Sequence, residues 1–165
     1  MGRGARVEGK RGPVSSLVNM LTEDTIALGV SVDSWQGAVH AVGELLVESG
    51  AVEPRYVPAM VQMVEDIGPY IVIAPGVALP HARPQDGVKS PCMALITLST
   101  PVTFGNEHND PVWLVVAFGA PDNEGHMEAL RDLARLLEDT ERLERLRVAT
   151  SVDEVRKIIG GASLL

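Results

Sequence analysis

The 165-residue sequence predicts an α/β protein, a three-layer α/β/α sandwich around a mixed central β-sheet. Three observations carry this. Short apolar runs rich in β-branched residues occupy the middle of the chain. Amphipathic helical stripes precede and follow them. One run, "PVWLVVAFGA" at 111–120, is apolar almost throughout, as a strand covered on both faces must be.

The elements follow in order. Ile26 to Val30 is a first strand. Ser34 caps a helix from Trp35 to about Ser49 that Gly50 stops, with Val39, Val42, Leu45 and Leu46 on one face. Pro54 suits the first turn of a second helix, which reaches about Ile67 and buries Val57, Met60, Val61 and Val64. "YIVIAPG", "CMALITLST" and "PVWLVVAFGA" are strands. A helix beginning at Asn123, with Asn123 as its N-cap, aligns Met127, Leu130, Leu133, Ala134 and Leu137. "ERLERLRVA" is another helix. Ser151 caps the last one, which runs through Ile159 and ends at Gly160 and Gly161. The length suits one domain over residues 16–165, preceded by a flexible arm at 1–15.

Composition narrows the function. The chain is 45% hydrophobic, enough for a sizeable core, and carries a net charge of −8. The arm holds Arg3, Arg6, Lys10 and Arg11 against Glu8, so the body is more acidic than the whole. An acidic body argues against nucleic acid and anionic membranes and suits a partner with a basic face. No apolar run nears the roughly 20 residues of a membrane helix, and the first residues lack an apolar signal core. Cys92 is the single cysteine, which excludes an intrachain disulfide. The expectation is a cytoplasmic protein.

"GVALPHARP" at 76–84 sets His81 between two prolines with Arg83 two residues on. The frame follows a strand and a glycine turn, so His81 lies at a sheet edge, where α/β proteins commonly build sites. If residues 81–83 are extended, Arg83 lies on the same side as His81, and Pro84 favours that conformation. A neutral imidazole nitrogen is a nucleophile, and a guanidinium matches the spread charge of a transferring phosphoryl group. The plainer reading is a surface histidine in a proline-rich turn. His126 lies at the start of the helix that follows the central strand, where free N–H groups attract phosphate. Its plainer reading is an ordinary first-turn residue.

Other candidates are weaker. His40 reads as a structural or partly exposed helix residue, and His108 belongs to the polar loop "FGNEHNDPV". Asp86 and Glu65 are the nearest carboxylates that could orient a histidine ring. Cys92 reads as core. Walker, GxGxxG and CxxC motifs are absent, and no metal site is expected.

"IAPGVALPHARPQDGV" and the later "PVTFGNEHNDPVWLVVAFGAPDNEGHMEAL" resemble the enzyme IIA domain of the bacterial phosphoenolpyruvate-dependent sugar phosphotransferase system, mannitol/fructose type. The resemblance runs from about Ile26 to Ile159. "GPYIVIAPG", "HARPQDGVK" and "NDPV" look most like the ascorbate-specific branch. It implies an α/β sandwich with a mixed sheet. It implies that His81 takes a phosphoryl group from the phosphohistidine of HPr and passes it to a cysteine on the cognate enzyme IIB, with the IIC permease reached only indirectly. No cofactor is implied, because phospho-HPr supplies the group. His126 matches the second family histidine, which orients or stabilises the phosphoryl group. The mannitol branch has a phosphate-contacting arginine in its second helix; here that region reads "MVEDIG", with Glu65 and Asp66, and Arg83 is the candidate replacement.

Two rivals stand beside this reading. A regulatory enzyme IIA-like protein would use phosphorylation of His81 to tune a partner. A metal-dependent hydrolase would use His81, His126 and Asp110 or Glu107. The sequence leaves open whether two copies pair as a homodimer.

Overall fold

The computed structural model describes residues 17–160, so the arm expected at 1–15, Gly161 and the apolar end at Leu164 and Leu165 lie outside the described residues. A helical stretch at 17–20 leads through a 3-10 turn, Glu23–Thr25, into β1 (Ile26–Val30). Helix α1 (Trp35–Glu48) and helix α2 (Tyr56–Ile67) follow. Next come β2 (Val72–Ala74), β3 (Val77–Ala78), β4 (Cys92–Val102) and β5 (Val112–Gly119). Helices α3 (Asn123–Leu137), α4 (Thr140–Val148) and α5 (Val152–Gly160) complete the described chain.

The sheet order is β1-β4-β5-β3-β2. β1 runs parallel to β4 and β3 parallel to β5, whereas β4 and β5, and β2 and β3, are antiparallel. The sheet is therefore mixed, as expected. Alternation along a strand sends successive side chains to opposite faces. On β4, Cys92, Ala94, Ile96 and Leu98 join α1 and α2 in one core, while Met93 and Leu95 join α3, α4 and α5 in the other. Every residue of β5 is buried. Two cores on one sheet make the three layers, and each large side chain buried in them contributes roughly 1.5–3 kcal/mol.

Local signals explain most boundaries. The Ser34 hydroxyl accepts the Gly37 N–H at 3.1 Å, the cap its position predicts. The Ser151 hydroxyl caps α5 through the Glu154 N–H at 3.1 Å. Three expectations are corrected. The cap of α3 is Asp122, whose carboxylate accepts the Gly125 N–H at 2.7 Å, so Asn123 is already the first helical residue. The buried face of α3 is Ala129, Asp132, Leu133 and Leu136; Met127 is exposed, because the helix is turned slightly from the stripe its leucines suggest. "YIVIAPG" is not one strand: Pro69–Ile71 forms a 3-10 turn, and Gly76 folds the chain back so that β2 pairs with β3.

Candidate active site

β3 ends beside the central strand, and the chain then leaves the sheet at Leu79. Two hydrogen bonds bracket the departing segment. The Leu79 N–H donates to the Ile71 carbonyl at 2.8 Å, and the Ala82 N–H donates to the Tyr56 hydroxyl at 3.0 Å. His81 is held between these anchors, next to Pro80 with its fixed φ. Its Nδ1 lies 2.8 Å from the Leu79 carbonyl oxygen. A carbonyl only accepts, so in the neutral ring Nδ1 carries the proton and Nε2 the lone pair.

Three rings meet here. His81 stacks on Phe118, with centroids 4.9 Å apart and planes 27° apart. His126 presents an edge to His81 at 5.3 Å and also lies 5.3 Å from Phe118. The two histidines are therefore brought together. Burial pushes the His81 pKa below its ordinary value of 6.5; the Leu79 carbonyl opposes this, and His126 adds to it. The imidazole is consequently neutral near pH 7. His126 sits in the first turn of α3, its N–H bonded to the Asp122 carbonyl at 3.1 Å. The positive end of that helix dipole thus adjoins both rings.

His81 lines an apolar cleft of about 190 Å³ with Met63, Ile67, Tyr70, Ile71, Leu79 and others. Its rim is apolar as well, with the lining residues Ile67, Tyr70 and Ile73 exposed. Arg83 lines a neighbouring cavity with Gln62, Asp66 and Asp86, and Met63 and Ile67 wall both spaces. Its guanidinium Nε is 3.5 Å from the Asp86 carboxylate, which also accepts the Arg83 N–H at 2.9 Å. Arg83 is thus near the site but directed along the last turns of α2.

The expected ring-orienting carboxylates do not serve. Asp86 holds the backbone and side chain of Arg83, and Glu65 is exposed on α2; the Leu79 carbonyl fixes the ring instead. The hydrolase constellation is not assembled among the described residues. Both oxygens of Asp110 accept backbone N–H groups, from Phe104, Gly105 and Asn106, at 2.8–2.9 Å. Glu107, His108 and His40 are exposed. That loop supports the site from below: the Asn106 and Asn109 side chains donate to the Val72 carbonyl, and the Gly76 N–H donates to the Asn109 carbonyl. Cys92 is core, as expected, and burial pushes its thiol up to about 11.

The sequence reading missed Tyr56. It is fully buried, and its hydroxyl donates to the Phe118 carbonyl at 2.8 Å while accepting the Ala82 N–H. Burial raises its pKa far above the usual tyrosine value, so it stays a neutral donor.

The chain is similar to known proteins. An "Ascorbate-specific PTS system EIIA component" from Shigella boydii is 42% identical over 136 residues, 82% of this chain and 88% of that protein. The solution structure of the mannitol-specific cryptic phosphotransferase enzyme IIA CmtB from Escherichia coli superposes with a TM-score of 0.79 at 33% identity, covering 88% of this chain and 99% of that one. The complex of enzyme IIAMTL and phosphorylated enzyme IIBMTL from Escherichia coli contains a chain that matches with a TM-score of 0.76 at 32% identity, covering 85% and 96%. Residues 19–161 match the family described as "Phosphoenolpyruvate-dependent sugar phosphotransferase system, EIIA 2", and it is to this family that the chain belongs.

Proposed function

We propose that the protein is a phosphocarrier in which His81 accepts a phosphoryl group from the phosphohistidine of HPr and donates it to a cysteine of the cognate enzyme IIB. The carrying observation is the bond from the His81 Nδ1–H to the Leu79 carbonyl, which leaves the Nε2 lone pair as the nucleophile. In the first step Nε2 attacks phosphorus, the P–N bond to HPr breaks, and the HPr imidazole leaves with that electron pair. The Nδ1 proton stays on His81, and the Leu79 carbonyl stabilises the positive charge the ring then bears. In the second step the thiolate of enzyme IIB attacks phosphorus and His81 regains its neutral lone pair.

His126 orients the phosphoryl group, with the positive end of α3 behind it. Arg83 supplies the phosphate-binding cation from the neighbouring cavity. The apolar cleft withholds water from a hydrolysable bond. The exposed apolar rim offers a docking face for successive protein partners. Relatives 42% identical are named for ascorbate, whereas the mannitol-named structural neighbour is 33% identical, which supports an ascorbate or related carbohydrate system.

The test is incubation with phosphoenolpyruvate, enzyme I and HPr, followed by intact mass and peptide mapping that preserves phosphohistidine. One phosphoryl group on the peptide containing His81 is expected, and none in His81→Ala. A labelled adduct persisting in that variant overturns the assignment.

A further inference from the structure

The His81 segment is anchored at both ends, but by different means. At Leu79 the anchor is a backbone bond to Ile71. At Ala82 it is a single side chain, Tyr56, reaching across 26 residues of sequence from the start of α2. The same hydroxyl donates to the carbonyl of Phe118, 62 residues away, whose ring carries His81. One oxygen therefore ties the residue after the nucleophile to the residue beneath it.

We infer that Tyr56 is a positioning residue, whose hydroxyl fixes the 79–82 segment so that His81 keeps the Nδ1–H tautomer and presents Nε2. The inference rests on the phosphocarrier reading for its consequence and on geometry for its mechanism. The Nδ1–Leu79 bond spans only two residues, so it survives only while the backbone of 80–81 holds one conformation. Pro80 restricts part of that backbone, and the buried Leu79 and Ala82 side chains and the His81–Phe118 stack add packing. Past Pro80, however, the hydrogen bond that fixes the backbone at Ala82 is the one to the Tyr56 hydroxyl. The hydroxyl is well matched to the task, because it spends its proton on one backbone group and a lone pair on another. Other contacts hold the following loop. The Glu53 N–H donates to the Gly87 carbonyl, and an Arg55 guanidinium N–H donates to the Gln85 carbonyl. Removing the hydroxyl alone thus loosens the histidine arch at its Ala82 end while leaving its downstream loop attached.

The variant is Tyr56→Phe, which keeps the ring in its packing. Three readouts are taken on the full chain: the rate of phosphoryl transfer from phospho-HPr, the KM for phospho-HPr, and the nitrogen-15 shifts of the His81 ring. The expectation is a transfer rate lower by about tenfold or more. KM should stay within about twofold, and the ring signals should move from a pure Nδ1–H tautomer to a mixture. Wild-type transfer overturns the inference. So does slower transfer with an unchanged ring spectrum, because the loss would then reflect general loosening. If the variant does not fold, hydrogen exchange of the Ala82 amide in the wild-type protein decides. Strong protection, in a residue outside any strand or helix, supports the anchor, and exchange at an open-loop rate overturns it. Should wild-type protein accept no phosphoryl group at all, the phosphocarrier reading falls, while the ring and amide readouts still judge Tyr56.

Discussion

Phe118 lies under His81, ring on ring at 4.9 Å, and it is the last aromatic side chain of the central strand. The rigid sheet thereby sets the height and tilt of the nucleophile. Phe118 is fully buried, so its ring also fills the core facing α3. Phe118→Leu nearly conserves volume and should cost about 1 kcal/mol in urea denaturation. It removes the stacking surface, so transfer should slow more than that stability loss implies. A variant that melts early yet transfers at the wild-type rate would separate the stack from function.

The neutral state of His81 has a consequence for pH. Its folded pKa lies below 6.5, chiefly through burial. As pH falls, the unfolded chain therefore takes up this proton before the folded one does. The stability that neutral His81 contributes is complete above pH 6.5 and is lost as pH falls through the folded value. Transfer should follow the same titration, because protonation removes the Nε2 lone pair. An NMR titration should give a His81 midpoint below 6.5; one at or above 6.5 contradicts burial as the dominant influence on the ring.

What the sequence disclosed and what it hid divide along the range of the interactions. The Ser34 and Ser151 caps depend on residues three positions away, and both were legible. His81 and His126 each stood out through local signals, a proline frame after a glycine turn and a helix start, but their 5.3 Å approach depends on sheet pairing. The two-residue β3 was not legible, since its only support is pairing to β5 and β2. The expectation that Arg83 flanks His81 assumed an extended chain with no competing partner. Asp86, three residues on, takes both the Arg83 N–H and its guanidinium and turns the side chain toward α2. The ring-orienting group escaped notice because it is a backbone carbonyl, which composition never reveals. Tyr56 drew no notice, because its two partners are remote in sequence.

Gly76 sits at the turn that delivers β3 to the site. Its φ is +79°, and a Cβ there would lie 2.5 Å from the Trp113 ring. Gly29 has φ +65° but open space around it. Gly29→Ala should therefore show only the left-handed strain, about 1–2 kcal/mol. Gly76→Ala adds a collision with a buried indole, so its loss should be clearly larger, and it should disturb His81 signals as well. Thermal unfolding of the two variants side by side checks the order. Equal losses would mean that Trp113 yields freely.

Arg83 and His126 differ in how they meet the phosphoryl group, and single substitutions should separate them. Arg83 is exposed, and its contact to Asp86 at 3.5 Å contributes less than about 1 kcal/mol to stability. Arg83→Ala should leave the melting temperature nearly unchanged while slowing transfer, and the deficit should narrow in Arg83→Lys, which keeps the charge. His126 packs against two rings at a helix start, so His126→Ala should slow transfer and lower stability modestly while the fold persists. Charge and shape predict different salt responses. Added salt should weaken the Arg83 contribution, because that guanidinium is solvated, and should affect the His126 contribution far less. Transfer rates for both variants at low and high ionic strength supply the check. A wild-type rate in Arg83→Ala at low salt would leave the phosphoryl group to His126 and the dipole of α3 alone.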